Sequence, residues 1–451
     1  MNENRAIETR KVNVFLKERI YPGFKKLFDS TANEKSFELY NKRMDKGLSF
    51  RPYYMKAMYK YIVNCMVAEQ IDKGEDIERK YRKLGGEILP FVAETIIIIQ
   101  YHNNHIFDKK NGVSPNIDYR PIQDSLINAD AINNRLYEYF VGLIQKEVVT
   151  CKQVCLITNY VGKIMDYVNE GQRLELDFNR LQNIKENTPV FKVPFKSNFS
   201  KAIEIFVPFK SSDTVIQFLY KQFDSSLHNY LENYLKRMCL TTGTLYSLMV
   251  ELLMKLMNYN GVEYNNIQNF TLRYGLMRQL INDNCDIVPS YKNLTTNAKV
   301  KQDAFSDLRN QNITLPLLFH YVNGEGSFLN KCLDEKQDQL SEKEESIIFD
   351  EIRASGAVFK SMSIARLLGK NALSKLKSEY CTINQNEDIR DIFSIMNINK
   401  FYYEIYKKNN NQGKNKNKTG LTSKFYRLTA LEAVNIGENK TKNGVPMGVI
   451  V

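Results

Sequence analysis

Across most of its length this chain repeats apolar residues every three or four positions, a period that admits little besides helices. "SFRPYYMKAMYKYIVNCMVAEQI", "TGTLYSLMVELLMKLMNY" and "EIRASGAVFKSMSIARLLGKNALSKLKSEY" are the long examples. Each lays an apolar stripe along a helix, which must be buried against another element. Gly (21) and Pro (11) are sparse in the 451 residues and fall mostly between these segments, where helix ends belong. The sequence shows no series of short alternating strands and no fixed-period repeat. It therefore predicts an all-α fold, a bundle of long helices around one core.

Two stretches depart from the period. From Asn187 to Ser226 the pieces "VFKVPFK" and "IFVPFK" alternate apolar and basic residues, as a small hairpin or another ordered excursion would. From Lys407 on, "KKNNNQGKNKNKTG" is polar, basic and of low complexity, and is expected to be disordered. The domain reading is one helical domain over 1–407, an insertion at about 187–226, and a basic tail over 408–451.

Charge and cysteine usage bound the function classes. The net charge of +12 (63 basic against 51 acidic side chains) favours phosphorylated or polyanionic ligands, although part of it is local to the tail. No aromatic residue interleaves the basic run, so nucleic acid is not an expected partner. Seven dispersed cysteines read as reduced thiols of a cytoplasmic protein. Cys151 and Cys155 lie one helical turn apart, but no second Cys or His pair follows at zinc-site spacing. The start "MNENRAIETRKVNVFL" lacks the apolar core of a signal peptide. The longest apolar run, "ILPFVAETIIIIQY", is broken by Glu94 and is too short for a transmembrane segment.

The chemistry-bearing stretch is "YGLMRQLINDNCDIVPS", Tyr274 to Ser290. Here a core-facing helix carries Gln279, Asn282, Asp283 and Asp286 in its last turns. Buried carboxylates are costly unless paired or metal-bound, and two of them three residues apart share a face that could grip a hard cation. Earlier, "HNNHIFDKKNG" places Asn104 and Asp108 one turn apart, followed by Lys109 and Lys110. His102, His105 and Asp108 could together take a transition metal. The reading that needs fewer groups is a polar, uncharged patch.

These pieces stand in a telling order. After "FRPYYM" (Phe50 to Met55) and "HNNHIFDKKNG" come "EGQRLELD" (Glu170 to Asp177) and "LTTGTLYS" (Leu240 to Ser247). The Asp-bearing helix and "SDLRNQNITLPLLFHY" (Ser306 to Tyr321) follow. Helices over "DEIRASGAVFKSMSIARLLGKNALSKLKS" and "NEDIRDIFSIMNI" close the series. The series resembles the trans-isoprenyl (polyprenyl) diphosphate synthase family over roughly residues 10 to 407: its L-R-P segment, first Asp-rich motif, G-Q-x-x-[DE] turn, K-T-x-x-L element, second Asp-rich motif and D-L…T-L-P segment.

The resemblance implies a bundle around a deep central cavity in which two Asp-rich helices hold Mg²⁺ against an allylic diphosphate. The metals draw off pyrophosphate and leave a carbocation that dry, apolar walls protect. Carried over residue by residue, Gln279, Asp283 and Asp286 would be catalytic. Asp283, Asp286, Asn282, Asn104 and Asp108 would surround magnesium. Arg51, Lys109, Lys110, Asn103, Thr241 and Thr242 would face the diphosphate. Bulky residues from Phe91 to Ile99 and from Leu245 to Met249 would line the prenyl channel.

The motifs are degenerate. Asn282 stands where the second motif has its first Asp, and Asn103 and Asn104 replace two aspartates of the first. The G-K-R-x-R-P pattern reads Gly47-Leu48-Ser49-Phe50-Arg51-Pro52 and keeps only Arg51. Thr241 replaces the Lys of the K-T element, and Asn312 replaces a later Lys. Each lost cation facing a diphosphate removes a contact of about 1.5–3 kcal/mol. Two expectations follow from the resemblance. The first is a divergent enzyme acting on a prenyl diphosphate by Mg-assisted ionisation, with prenyl transfer or cyclisation. The second is a non-catalytic partner subunit of an active synthase. Either would form a homodimer or a heterodimer with a related synthase.

Overall fold

The computed structural model describes residues 51–71, 74–107, 120–178, 213–287, 312–323, 327–334 and 341–376, with the single residues Glu18, Phe206, Lys210 and Asp307. Among the described residues every regular element is a helix, as the apolar period predicts. The first half holds α1 (Arg51–Ala68), α2 (Gly74–Lys83), a π-helical turn (Leu84–Ile88), α3 (Leu89–Phe107), α4 (Arg120–Gln145) and α5 (Cys151–Phe178). After α6 (Thr214–Tyr220) and α7 (His228–Met238) comes a second π-helical turn, Cys239–Gly243, leading into α8 (Thr244–Leu256) and α9 (Tyr264–Ile287). The last elements are α10 (Leu315–Asn323), α11 (Phe328–Asp334), α12 (Glu342–Ala354) and α13 (Ala357–Leu373).

Local chemistry sets the helix ends. Pro52 sits at the second residue of α1, where its missing N–H costs nothing. Ahead of α5, Thr150 and Gln153 cap each other: the Gln153 N–H donates to Thr150 Oγ1 at 3.2 Å, and the Thr150 N–H donates to Gln153 Oε1 at 2.9 Å. Gly356, at φ 72°, makes the left-handed turn between α12 and α13 that a side chain would resist.

α9 runs through the middle of the packing, against α13, α8, α7, α10 and the second π turn. Ile267, Phe270, Tyr274, Met277 and Leu280 on it are essentially inaccessible. Asn284 ties it to α13 by donating to Ser361 Oγ at 2.8 Å, and Asp213 ties it to α6. The Asp213 carboxylate caps α6 through the N–H groups of Val215 and Ile216 and meets Arg273 Nε at 2.6 Å, both side chains being buried. α3 packs on α4 and α1, and α5 packs on α7 and α8.

The 187–226 excursion divides at the edge of the described residues: 187–205 lies outside them, and so does the tail over 408–451. The pieces that suggested a hairpin, at 190–196 and 205–210, lie outside the described residues apart from Phe206 and Lys210; from Asp213 on, the excursion is described and helical. Asp213 starts a helix whose Val215, Ile216 and Leu219 are buried, and that helix packs against α13. The capping carboxylate and this apolar spacing account for the helix. No helix among the described residues is long and apolar enough to cross a membrane.

Candidate functional site

Three glycines bring the candidate site's elements together. A Cβ on Gly171 of α5 would stand 2.9 Å from Leu240 Cβ and 2.7 Å from Thr241 Cγ2. One on Gly275 of α9 would stand 2.8 Å from Gly243 Cα and 2.9 Å from the Thr242 carbonyl oxygen. The G-Q-x-x-E turn, the K-T-like element and the second Asp-rich helix therefore meet at backbone distance. The K-T-like element itself is the π turn Cys239–Gly243, a widened turn that sets Thr241 and Thr242 half-exposed.

A directional hydrogen-bond chain leads inward from there. The Thr242 hydroxyl donates to Gln279 Oε1 at 2.6 Å, and Gln279 Nε2 donates to Asp283 Oδ1 at 2.7 Å. The other oxygen of Asp283 accepts from the Tyr234 hydroxyl at 2.6 Å and has Arg237 NH2 at 3.7 Å. Arg237 continues the chain by donating from NH1 to Glu175 Oε1 at 3.2 Å. Its guanidinium carbon lies 5.3 Å from the centre of the Tyr234 ring, one turn earlier on α7. Asp286 is joined from the other side, since its Oδ2 accepts the Asp307 N–H at 3.0 Å.

Burial dominates the electrostatics. It raises the Asp283 carboxyl above its ordinary range, against the pull of Arg237, Tyr234 and Gln279. It raises Asp307 far more, helped by the facing carboxylates of Asp286, Asp283 and Glu175. Burial works against the Arg237 charge, yet Glu175 and Asp283 outweigh it and hold the guanidinium charged.

The structure thus unites Gln279, Asp283 and Thr242 in one chain, with Thr241 beside them, bonded through its hydroxyl to the Arg237 carbonyl at 2.9 Å. Asn282 stands apart: it is exposed, while Asp283 is 1 % exposed and Asp286 5 %. On α3, Asn103 is half-buried next to the buried His102. Asn104 is on the same helix, and Arg51 opens α1; their side chains, like the whole of Asp108, Lys109 and Lys110, lie outside the described residues. The expected channel residues Phe91 to Ile99 and Leu245 to Met249 are almost all buried, Glu94 among them.

Magnesium asks for several oxygens converging with near-octahedral geometry on an open position. Both oxygens of Asp283 are already engaged by protein donors, Asp283 and Asp286 face inward, and the outward group is a neutral carboxamide. Among the described residues no three His, Cys, Asp or Glu side chains form a group that could hold a metal ion. As arranged, this half of the site does not fit a bound Mg²⁺.

Arg237 and Tyr234 carry the site without having been singled out from the sequence, whereas Glu175 and Asp307 stand in the G-Q-x-x-[DE] and D-L motifs but were given no role there. Arg237 left one trace there: it is a cation four residues, one helical turn, before the Thr241 that replaces the expected lysine.

An all-helical bundle with its acidic motif set against a threonine-bearing π turn defines a class, and comparison with known proteins identifies that class as the isoprenoid synthase fold. The geranylgeranyl pyrophosphate synthetase from Pyrococcus horikoshii Ot3 superposes with a TM-score of 0.52 at 14% identity, over 87% of this chain and 98% of that one. The decaprenyl diphosphate synthase from Rhodobacter capsulatus gives 0.52 at 11% identity, over 88% and 99%. The geranylgeranyl pyrophosphate synthase from Corynebacterium glutamicum, solved with isoprenyl diphosphate and magnesium, gives 0.52 at 12% identity, over 85% and 98%. In sequence, the polyprenyl synthetase family profile matches residues 211–349, a span that contains the K-T-like element, the second Asp-rich helix and the T-L-P segment. Comparison with curated proteins gave no match. The resemblance to polyprenyl synthetases therefore holds in fold, and over that span in sequence as well, at strong divergence.

Proposed function

We propose that this chain serves isoprenoid biosynthesis as a prenyl diphosphate synthase-like subunit that does not ionise a diphosphate itself and pairs with an active synthase. The observation that carries this reading is the arrangement of the second Asp-rich motif. Its outward position is the neutral Asn282, and the Asp283 carboxylate is committed to Tyr234, Gln279 and Arg237. A diphosphate leaving group needs dense positive charge around it. Outward, that motif offers only the uncharged carboxamide of Asn282 to hold the metal that would supply it.

A surface feature supports the partner. On α4, Ile127 is 62 % exposed and Val141 52 %, with Leu126 and Tyr137 also exposed. Ile127, Tyr137 and Val141 share a helical face, an apolar stripe suited to a second chain of the same fold. The test is co-expression with an active prenyl diphosphate synthase, followed by size-exclusion chromatography and product-length analysis. Co-elution with altered product length is expected, together with no product from this chain alone on geranyl, farnesyl or geranylgeranyl diphosphate with Mg²⁺.

A second reading keeps catalysis on one prenyl diphosphate, by cyclisation or transfer to another acceptor. Gln279, Asp283, Asp286 and Asp307 all remain and interlock, and that persistence favours it. Mg²⁺-dependent turnover that an Asp283→Ala/Asp286→Ala variant abolishes would establish this reading and overturn the first.

A further inference from the structure

The geometry points to Arg237 as a resident counter-ion of the second acidic motif: a guanidinium that neutralises the charge a divalent cation would otherwise balance, so that the folded chain keeps this site closed without metal. The inference goes beyond the partner-subunit reading: it rests on that reading's metal-free second acidic motif and does not need the pairing with an active synthase.

Three observations converge on it. The first is position. Arg237 lies one turn ahead of Thr241 on the same helical run, so a cation absent from the K-T-like element is present one turn away, displaced from the half-exposed Thr241 position into the interior. The second is reach. Its NH1 takes Glu175 of the G-Q-x-x-E turn at 3.2 Å and its NH2 faces Asp283 at 3.7 Å, while Asp307 contributes to the same field. One guanidinium thereby bridges α5 and α9, which a shared metal could otherwise do through carboxylate oxygens. The third is enclosure. Arg237 is 5 % exposed and stacks over Tyr234, whose hydroxyl is spent on the same Asp283 carboxylate. Its Nε–H is buried and has no hydrogen-bond acceptor. Here the side chain is held by two carboxylates on one edge and by the Tyr234 ring.

A free diphosphate does not suit Arg237 as it stands. Both terminal nitrogens face carboxylates, and the side chain is almost wholly buried. The acidic motif is thus occupied from within, by a cation that cannot dissociate.

The prediction concerns metal binding and not turnover. A charge about 4 Å away at a protein site is worth several kcal/mol, enough to exclude a second cation from the same carboxylates. The full-length protein is titrated with Mn²⁺ as the probe, with free Mn²⁺ read by electron paramagnetic resonance, for the wild type, Arg237→Met, Arg237→Lys and Arg237→Met/Asp283→Asn. The wild type and Arg237→Lys should leave Mn²⁺ free. Arg237→Met should bind it at least about ten-fold more tightly, and the added Asp283→Asn should remove that gain. Equal binding by wild type and Arg237→Met overturns the proposal, as does a gain that survives Asp283→Asn.

Should Arg237→Met not fold, the wild type decides. Its melting temperature should be the same in EDTA and in excess Mg²⁺. A Mg²⁺-dependent rise that Asp283→Asn abolishes would refute the resident counter-ion. Failure of the pairing that the partner-subunit reading proposes would show in co-elution and product length, which neither the Mn²⁺ titration nor the melting temperature reads, so the two outcomes stay separable.

Discussion

At the scale of single residues, two buried polar side chains make the sharpest predictions. His320 on α10 is 2 % exposed, with Nδ1 3.3 Å from Ser355 Oγ. The Ser355 hydroxyl donates to the Ile352 carbonyl at 2.9 Å, so it accepts from the ring, and the neutral Nδ1–H tautomer follows. Burial lowers the His320 pKa below its ordinary 6.5 against the opposing pull of Glu351, whose carboxylate stands 3.7 Å away. The unfolded chain then takes up the proton first. Stability is fully present above 6.5 and falls as the pH drops below it. Urea midpoints measured on both sides of that value should show the fall, and His320→Gln should flatten it. The second residue is Asp213, whose carboxylate caps α6 and pairs with Arg273. Removing either partner leaves a buried, uncompensated charge, so Asp213→Ala or Arg273→Met should each cost about 3–5 kcal/mol in equilibrium unfolding. The double variant should cost clearly less than the sum of the two.

At the scale of elements, the packing of α5, the second π turn and α9 depends on absent side chains. Gly275→Ala would press a methyl group onto backbone atoms of Thr242 and Gly243 that have nowhere to move. A loss of about 1–3 kcal/mol or more is expected. Gly162→Ala in α5 meets nothing within 4 Å and should instead stabilise by about 0.5–1 kcal/mol. Thermal denaturation of the two variants checks both signs. The helices themselves were legible in the sequence because an apolar residue every third or fourth position leaves few alternatives; α1, α8 and α13 coincide with the long periodic runs. The helix at Thr214–Tyr220 was not, because its signal is one capping carboxylate after a strand-like run. The site was half legible. Gln279 and Asp283 announce themselves by sitting polar on a core-facing helix, whereas nothing in the sequence pairs Arg237 with the Glu175 of the G-Q-x-x-E motif. Their meeting is a tertiary event over 62 positions of chain, to which local pattern is blind.

At the scale of the whole molecule, the apolar stripe on α4 separates assembly from folding. Ile127→Asp with Val141→Lys should abolish association with a partner chain on size-exclusion chromatography and leave the melting temperature of this chain within about 1 °C, since exposed positions touch little of the core. A large drop in melting temperature would mean that the stripe is internal packing. The central position of α9 has its own consequence. The middle of that helix, from Phe270 to Ile281, covered by α13, α8, α7 and α10, offers its amides no route to solvent short of opening the molecule. Deuterium uptake there should be the slowest in the chain and should track the global free energy of unfolding. The charged, largely exposed α2 should exchange through local fluctuations instead. A single labelling time course would then give, in α9, a readout of global stability taken under fully native conditions.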